Sequence, residues 1–79
     1  MNINEQLKSR IVKDSENILV LFPSEYTKDI FKRKVNPPKN YILFSTSNLE
    51  HKLVGLRYKE YKYINQDMLR RIIYKLENE

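Results

Sequence analysis

The chain has 79 residues, no cysteine and one glycine, and its 15 Lys/Arg against 10 Asp/Glu give a formal net charge of +5. That length makes a single domain, 1–79, with no material for a second lobe, because folding hides only about 60–65% of the unfolded surface of so short a chain. The missing cysteines exclude a disulfide framework and a thiolate metal site, and with no cationic leader and no apolar run longer than five residues the expectation is a cytoplasmic protein without membrane contact.

In chain order, Ile3, Leu7 and Ile11 recur every fourth residue with Val12 beside them, which predicts an amphipathic helix of about three turns. Asn2 or Asn4 opens it, and Asp14-Ser15-Glu16-Asn17 closes it. Ile18-Leu19-Val20-Leu21-Phe22 follows as an unbroken apolar run that ends at Pro23-Ser24. Such a run is a strand covered on both faces, the kind found in the middle of a parallel or mixed sheet. Ser24 is a helix cap and Glu25 suits the positive end of the helix dipole. The helix runs to about Val35, with Tyr26, Ile30, Phe31 and Val35 inward and the lysines and Arg33 outward, and Asn36-Pro37-Pro38 stops it.

Tyr41-Ile42-Leu43-Phe44 predicts a second strand with a polar exit at Ser45-Thr46. Ser47 and Glu50 then match a capping box for a short helix with Leu49 and Leu53 inward, ended by Gly55. Leu56 to Ile64 alternates Tyr with Lys and reads as a loop leading into a short strand, Tyr61 to Ile64. The last segment places Leu69, Ile72, Ile73 and Leu76 at i, i+3, i+4 and i+7 behind an Asn65 cap, which makes a helix packed on the sheet. The order αβαβαβα predicts an α/β fold: a small, mostly parallel three-stranded sheet with flanking helices. The alternative is an α+β fold in which residues 41–45 and 56–63 pair as a hairpin.

Ile18 to Ser24, Tyr41 to Ser47, and Gly55 to Asp67 together resemble part of the core of helicase- and terminase-type P-loop ATPases, over about fifty residues. In that family one strand ends in a Pro-Ser/Thr helix start, a second ends in a Thr/Ser-rich turn, and a Gly-Leu-Arg segment precedes an acidic-ended strand. The resemblance implies that Tyr61-Lys62-Tyr63-Ile64 is the Walker B strand and that Asn65-Gln66-Asp67 stands at the Asp-Glu pair. The chain departs from the family where the chemistry lies. It has no Gly-x-x-x-x-Gly-Lys-Ser/Thr, and one glycine cannot build such a phosphate loop. Asn65 is a poor magnesium ligand and Gln66 replaces the expected base. The resemblance therefore implies a scaffold without its nucleotide site, and Asp67 reads as a first-turn helix residue.

Nothing else in the sequence assembles chemistry. His51 is the sole histidine and has no second imidazole or thiolate to share a zinc ion. Ser45 and Ser47 lack a nucleophile elbow, and Glu16, Glu25 and Asp29 adjoin lysines or sit where helix starts prefer acids. The expectation is a protein that is not an enzyme and uses no cofactor or metal.

Residues 28 to 75 carry twelve Lys/Arg against four Asp/Glu. Arg57, Tyr58, Lys59, Tyr61, Lys62 and Tyr63 interleave cations with rings, the combination that grips single-stranded nucleic acid. Lys28, Lys32, Arg33, Lys34 and Lys39 offer a second phosphate-contacting strip, and Arg70, Arg71 and Lys75 a third. The function expected is a small basic binding protein that associates with nucleic acid or the machinery handling it. The alternative is a protein–protein regulator or inhibitor of the phage accessory type, able to act as a homodimer, since Tyr and Arg are also hot-spot residues and a small open sheet gains from burying its edge.

Overall fold

The computed structural model describes residues 7–46 and 57–78. Three strands and two long helices follow in the order β1 (Ile18–Phe22), α1 (Glu25–Val35), β2 (Tyr41–Ser45), β3 (Glu60–Tyr63) and α2 (Gln66–Glu77). Residues 7–9 form a further helical turn before β1. The predicted helix over 47–55, with Ser47, Leu49, His51, Leu53 and Gly55, lies outside the described residues.

β1 is the centre of an all-parallel sheet in the order β2-β1-β3. Its register pairs Leu19 with Ile42 on one side and Tyr61 on the other, and Val20 with Leu43 and Lys62. The expected α/β class holds, and the hairpin alternative does not: β1 separates the two strands that the hairpin would have paired. β3 begins one residue earlier than the sequence predicts.

The apolar pentad behaves as an unbroken run must. Leu19 and Leu21 point to one face, where they join Leu7 and Tyr58 in a cluster flanked by Ile42, Phe44 and Tyr61. Val20 and Phe22 point to the other, where Phe31 of α1, Ile64 and Leu69 of α2 cover them. The Phe22 and Phe31 rings meet at a centroid distance of 5.1 Å with their planes tilted by 49°. Both long helices thus lie on the Val20 face and the N-terminal segment lies on the Leu19 face.

Local signals set the helix limits. Thr27 N–H donates to Ser24 Oγ at 3.2 Å and Met68 N–H to Asn65 Oδ1 at 2.9 Å, so both N-caps sit where the sequence puts them. α1 ends because Asn36 adopts a left-handed conformation (φ 51°, ψ 63°) immediately before two prolines. No helix of the described residues is long and apolar enough to cross a membrane.

Three expectations need correction. Tyr26 is 67% exposed, and Thr27 takes the inward place because it precedes Phe31 by four residues, the spacing of the buried stripe. Leu76 is 47% exposed, since α2 runs past the sheet that covers Leu69. The first helix does not continue through Val12. Val12 N–H donates to Tyr58 C=O at 2.9 Å and Tyr58 N–H to Arg10 C=O at 3.2 Å, which places Ile11 in a parallel bridge to Tyr58. Adjacent β-branched residues at 11 and 12 favour that extended course over another helical turn.

The double-sided core sets a measurable contrast. Phe22→Ala, at a fully buried site, should cost about 3–5 kcal/mol, a large part of the roughly 4–12 kcal/mol expected for a domain of this size. Tyr26→Ala should stay within about 0.5 kcal/mol. Urea unfolding midpoints followed by far-UV circular dichroism test both, and equal costs would contradict the assigned faces.

Candidate binding interface

The cations expected to bind divide by what surrounds them. On α1, Lys32, Arg33 and Lys34 occupy the last turn and are exposed, with Lys39 exposed in the turn that follows. The carbonyl end of the helix favours cations there, which helps to hold the cluster together against its own repulsion. Lys28 differs. Its Nζ lies 2.7 Å from Glu25 Oε2 and its side chain is only 19% exposed, so it enters any contact already paired.

Glu25 is in turn fixed by β2, because Ser45 Oγ donates to Glu25 Oε1 at 2.6 Å. Both carboxylate oxygens are therefore engaged. Ser24 Oγ also lies 3.0 Å from Thr27 Oγ1. These groups stand at the carboxyl end of β1 and β2, the edge where open parallel sheets bind ligands, and they satisfy one another. The Asn65-Gln66-Asp67 stretch at the end of β3 is likewise occupied: Asn65 caps α2 and Asp67 lies in its first turn.

The interleaved stretch 57–63 does not form one strip. Tyr58 is 0% exposed, and its hydroxyl donates to the Leu7 carbonyl at 3.0 Å. It is a core residue, and its assignment as a binding residue is corrected. Tyr61 is half-buried against the same cluster. Strict alternation from Tyr58 would send Tyr61 to the opposite face. The chain bends at Lys59, whose N–H donates to Asn17 C=O at 2.6 Å, and this break brings both rings to one side. Lys62 projects to the helix-covered face, its Nζ 5.9 Å from the centre of the Tyr41 ring. Only Tyr63, 45% exposed, keeps an open ring in this stretch.

What remains of the stretch is a set of cations on a fixed frame. Arg57 and Lys59 are exposed. The Arg57 carbonyl accepts from Ser15 Oγ at 3.1 Å and Asn17 Nδ2 at 3.4 Å, so its backbone is tied to the approach to β1. Arg70 and Arg71 are exposed on α2.

A feature absent from the sequence-based expectations lies between the helices. A cleft of about 530 Å³ is lined by Phe31 and Val35 of α1, Met68 and Ile72 of α2, and Tyr41, Lys62, Tyr63 and Ile64 from the sheet side. A signal for it exists in the sequence: Met68 precedes Ile72 by four residues, which widens the inward stripe of α2 on one side.

Comparison with protein-family models, with curated proteins and with solved structures finds no match to this chain. Its functional reading therefore rests on the residues themselves.

Tyr58 supplies a test of the interior. Burial pushes its phenol above the usual value, with the Arg10 charge opposing and Tyr61 adding to the rise. Both folded and unfolded chains hold this proton at neutral pH. Above about pH 10 the unfolded chain releases it first, so stability falls as pH rises toward the folded value. At neutral pH Tyr58→Phe should cost about 0.5–1.5 kcal/mol, the net value of one hydrogen bond, because Arg10 N–H still donates to the Leu7 carbonyl. The gap between wild type and variant in urea midpoint should then narrow above about pH 10. A constant gap up to about pH 12 would contradict a buried phenol at this position.

Proposed function

We propose that the protein is a non-catalytic binding protein that associates with nucleic acid through the phosphate backbone, without base stacking. The observation that carries this reading is the set Lys32, Arg33, Lys34 and Lys39: four exposed cations within eight residues, none in an ion pair among the described residues. Arg57 and Lys59, and Arg70 and Arg71, extend the cationic surface from β3 and α2. Exposed cations carried on a rigid backbone are what a polyanion sheds its counterions to reach.

Base recognition by rings finds less support, since Tyr58 is enclosed and Tyr61 half-buried. A stacking platform needs several open rings along one groove. The non-catalytic reading takes the groups at the carboxyl edge of the sheet as structural: Ser24 caps α1 and Ser45 braces Glu25. The resemblance to the P-loop ATPase core points the same way, because a scaffold without the phosphate loop retains surfaces for binding and loses hydrolysis.

Fluorescence anisotropy with labelled single- and double-stranded oligonucleotides across a salt series tests the proposal. Log affinity should fall linearly with log salt, and duplex should bind at least as well as single strand. Arg33→Ala with Lys34→Ala should reduce the duplex slope by about 2, at roughly 0.9 for each phosphate no longer neutralised, and Arg57→Ala with Lys59→Ala by a similar amount. An absence of binding at low salt, or a slope unmoved by either pair, removes the proposal.

A further inference from the structure

Among the described residues, the cleft between α1 and α2 is where apolar surface lies open beside the core. Met68 is 41% exposed and Leu76 47%, whereas Leu69, one position along the same helix from Met68, is 3% exposed. Met68 and Ile72, about 6 Å apart along the helix at 1.5 Å per residue, line the cleft from α2. Phe31 and Val35 form the facing wall. The trough is open and walled by two helices, which suits a rod of side chains better than a compact small molecule.

Charge tells what kind of rod. Among the described residues no Asp or Glu lines the cleft, and the one charged side chain that does is Lys62. From β3 its amine reaches the Tyr41 ring on β2, the far neighbour of β1, and it forms no ion pair with any described residue. Edge strands of a three-stranded sheet stand about 10 Å apart, so the lysine stem lies along the cleft floor over β1 and carries its charge toward β2. Arg71 and Lys75, exposed on α2, follow Met68 and Ile72 by three residues and so flank the apolar row. A second copy of the chain would bring like charges together here, which disfavours it as the occupant.

We infer that the α1–α2 cleft, with Met68 and Ile72 facing Phe31 and Val35 as its apolar walls and Lys62 as its cation, docks an acidic amphipathic helix of a partner protein. The apolar side of that helix, at i, i+4 and i+7, fills the trough, and its carboxylates meet Lys62, Arg71 and Lys75. This goes beyond the phosphate contacts proposed above and shares only Arg71 with them, so substitution of Lys62, which they do not use, tells the two apart.

The chain has two methionines, so methyl labelling of methionine gives a reporter inside the cleft at Met68. The probe is a synthetic peptide of about fifteen residues with Leu at i, i+4 and i+7 and Glu on the remaining positions, long enough to form helix on binding. Its controls are the same peptide with every Glu changed to Lys, and polyglutamate. The expected result is a saturable shift of the Met68 methyl signal by the acidic peptide, with both controls at least about 10-fold weaker. Lys62→Glu should weaken the acidic peptide by about 10-fold or more and strengthen the lysine peptide. Lys62→Met, which keeps the stem, should fall between, with unchanged circular dichroism for both variants. No Met68 shift, or equal binding of polyglutamate, overturns the inference. So does a Met68 shift on concentrating the protein alone, which indicates self-association, or one produced by an oligonucleotide that competes with the peptide.

Discussion

The structure depends on one strand being buried on both faces and paired on both edges. β1 sends Leu19 and Leu21 into one cluster and Val20 and Phe22 into the other, and hydrogen-bonds to β2 and β3 in parallel. Parallel neighbours cannot be joined by tight turns, so each connection must travel back over the sheet. In a chain this short the returning segments are also the cover. α1 and α2 close one face, and Leu7 and Tyr58 close the other. The pentad therefore fixes the class of fold and the positions from which any side chain can reach solvent.

The distribution of exposed charge follows from that economy. The described aromatic residues are largely drawn inward or half-inward, because a small domain needs their area to fill two clusters. Lysine and arginine, which cannot be buried unpaired, collect at the last turn of α1, before β3 and along α2. Rings and cations that alternate in sequence are thereby separated in space. The surface is cationic at these places, and the rings that stay open, Tyr26, Tyr63 and Tyr74, stand on three different elements. At the carboxyl edge of the sheet, Glu25 has its two oxygens occupied by Lys28 and Ser45.

The cleft arises from the same constraint. α2 has to cover Val20, Phe22 and Phe31 with Leu69 and its neighbours, but its apolar stripe is wider than the strip of sheet available. Met68 is the excess, and it borders a trough whose charged lining, among the described residues, is the Lys62 ammonium alone. On the two proposals, the apolar walls and Lys62 take an acidic protein segment, while the exposed cations elsewhere remain open to a polyanion.

Much of this was legible in the sequence, because local chemistry settles it. Five consecutive apolar residues require two covered faces, Ser24 and Asn65 start helices by accepting backbone amides, and Asn36 before two prolines ends one. These are properties of neighbours along the chain, and the alternation of elements then gave the parallel sheet. The fate of residues 57–63 was not legible, because period-two alternation predicts faces only while a strand stays regular. The bend at Lys59 breaks the period and turns Tyr58 from a candidate ligand-binding ring into core. The end of the first helix was hidden too, since Ile11 and Val12 continue its spacing and only the backbone of Tyr58, 46 residues beyond Val12, offers them a better partner. The sequence by itself determined which residues form β1, α1 and α2; the tertiary structure decided which side chains remain outside, because exposure depends on contacts between segments far apart in the chain.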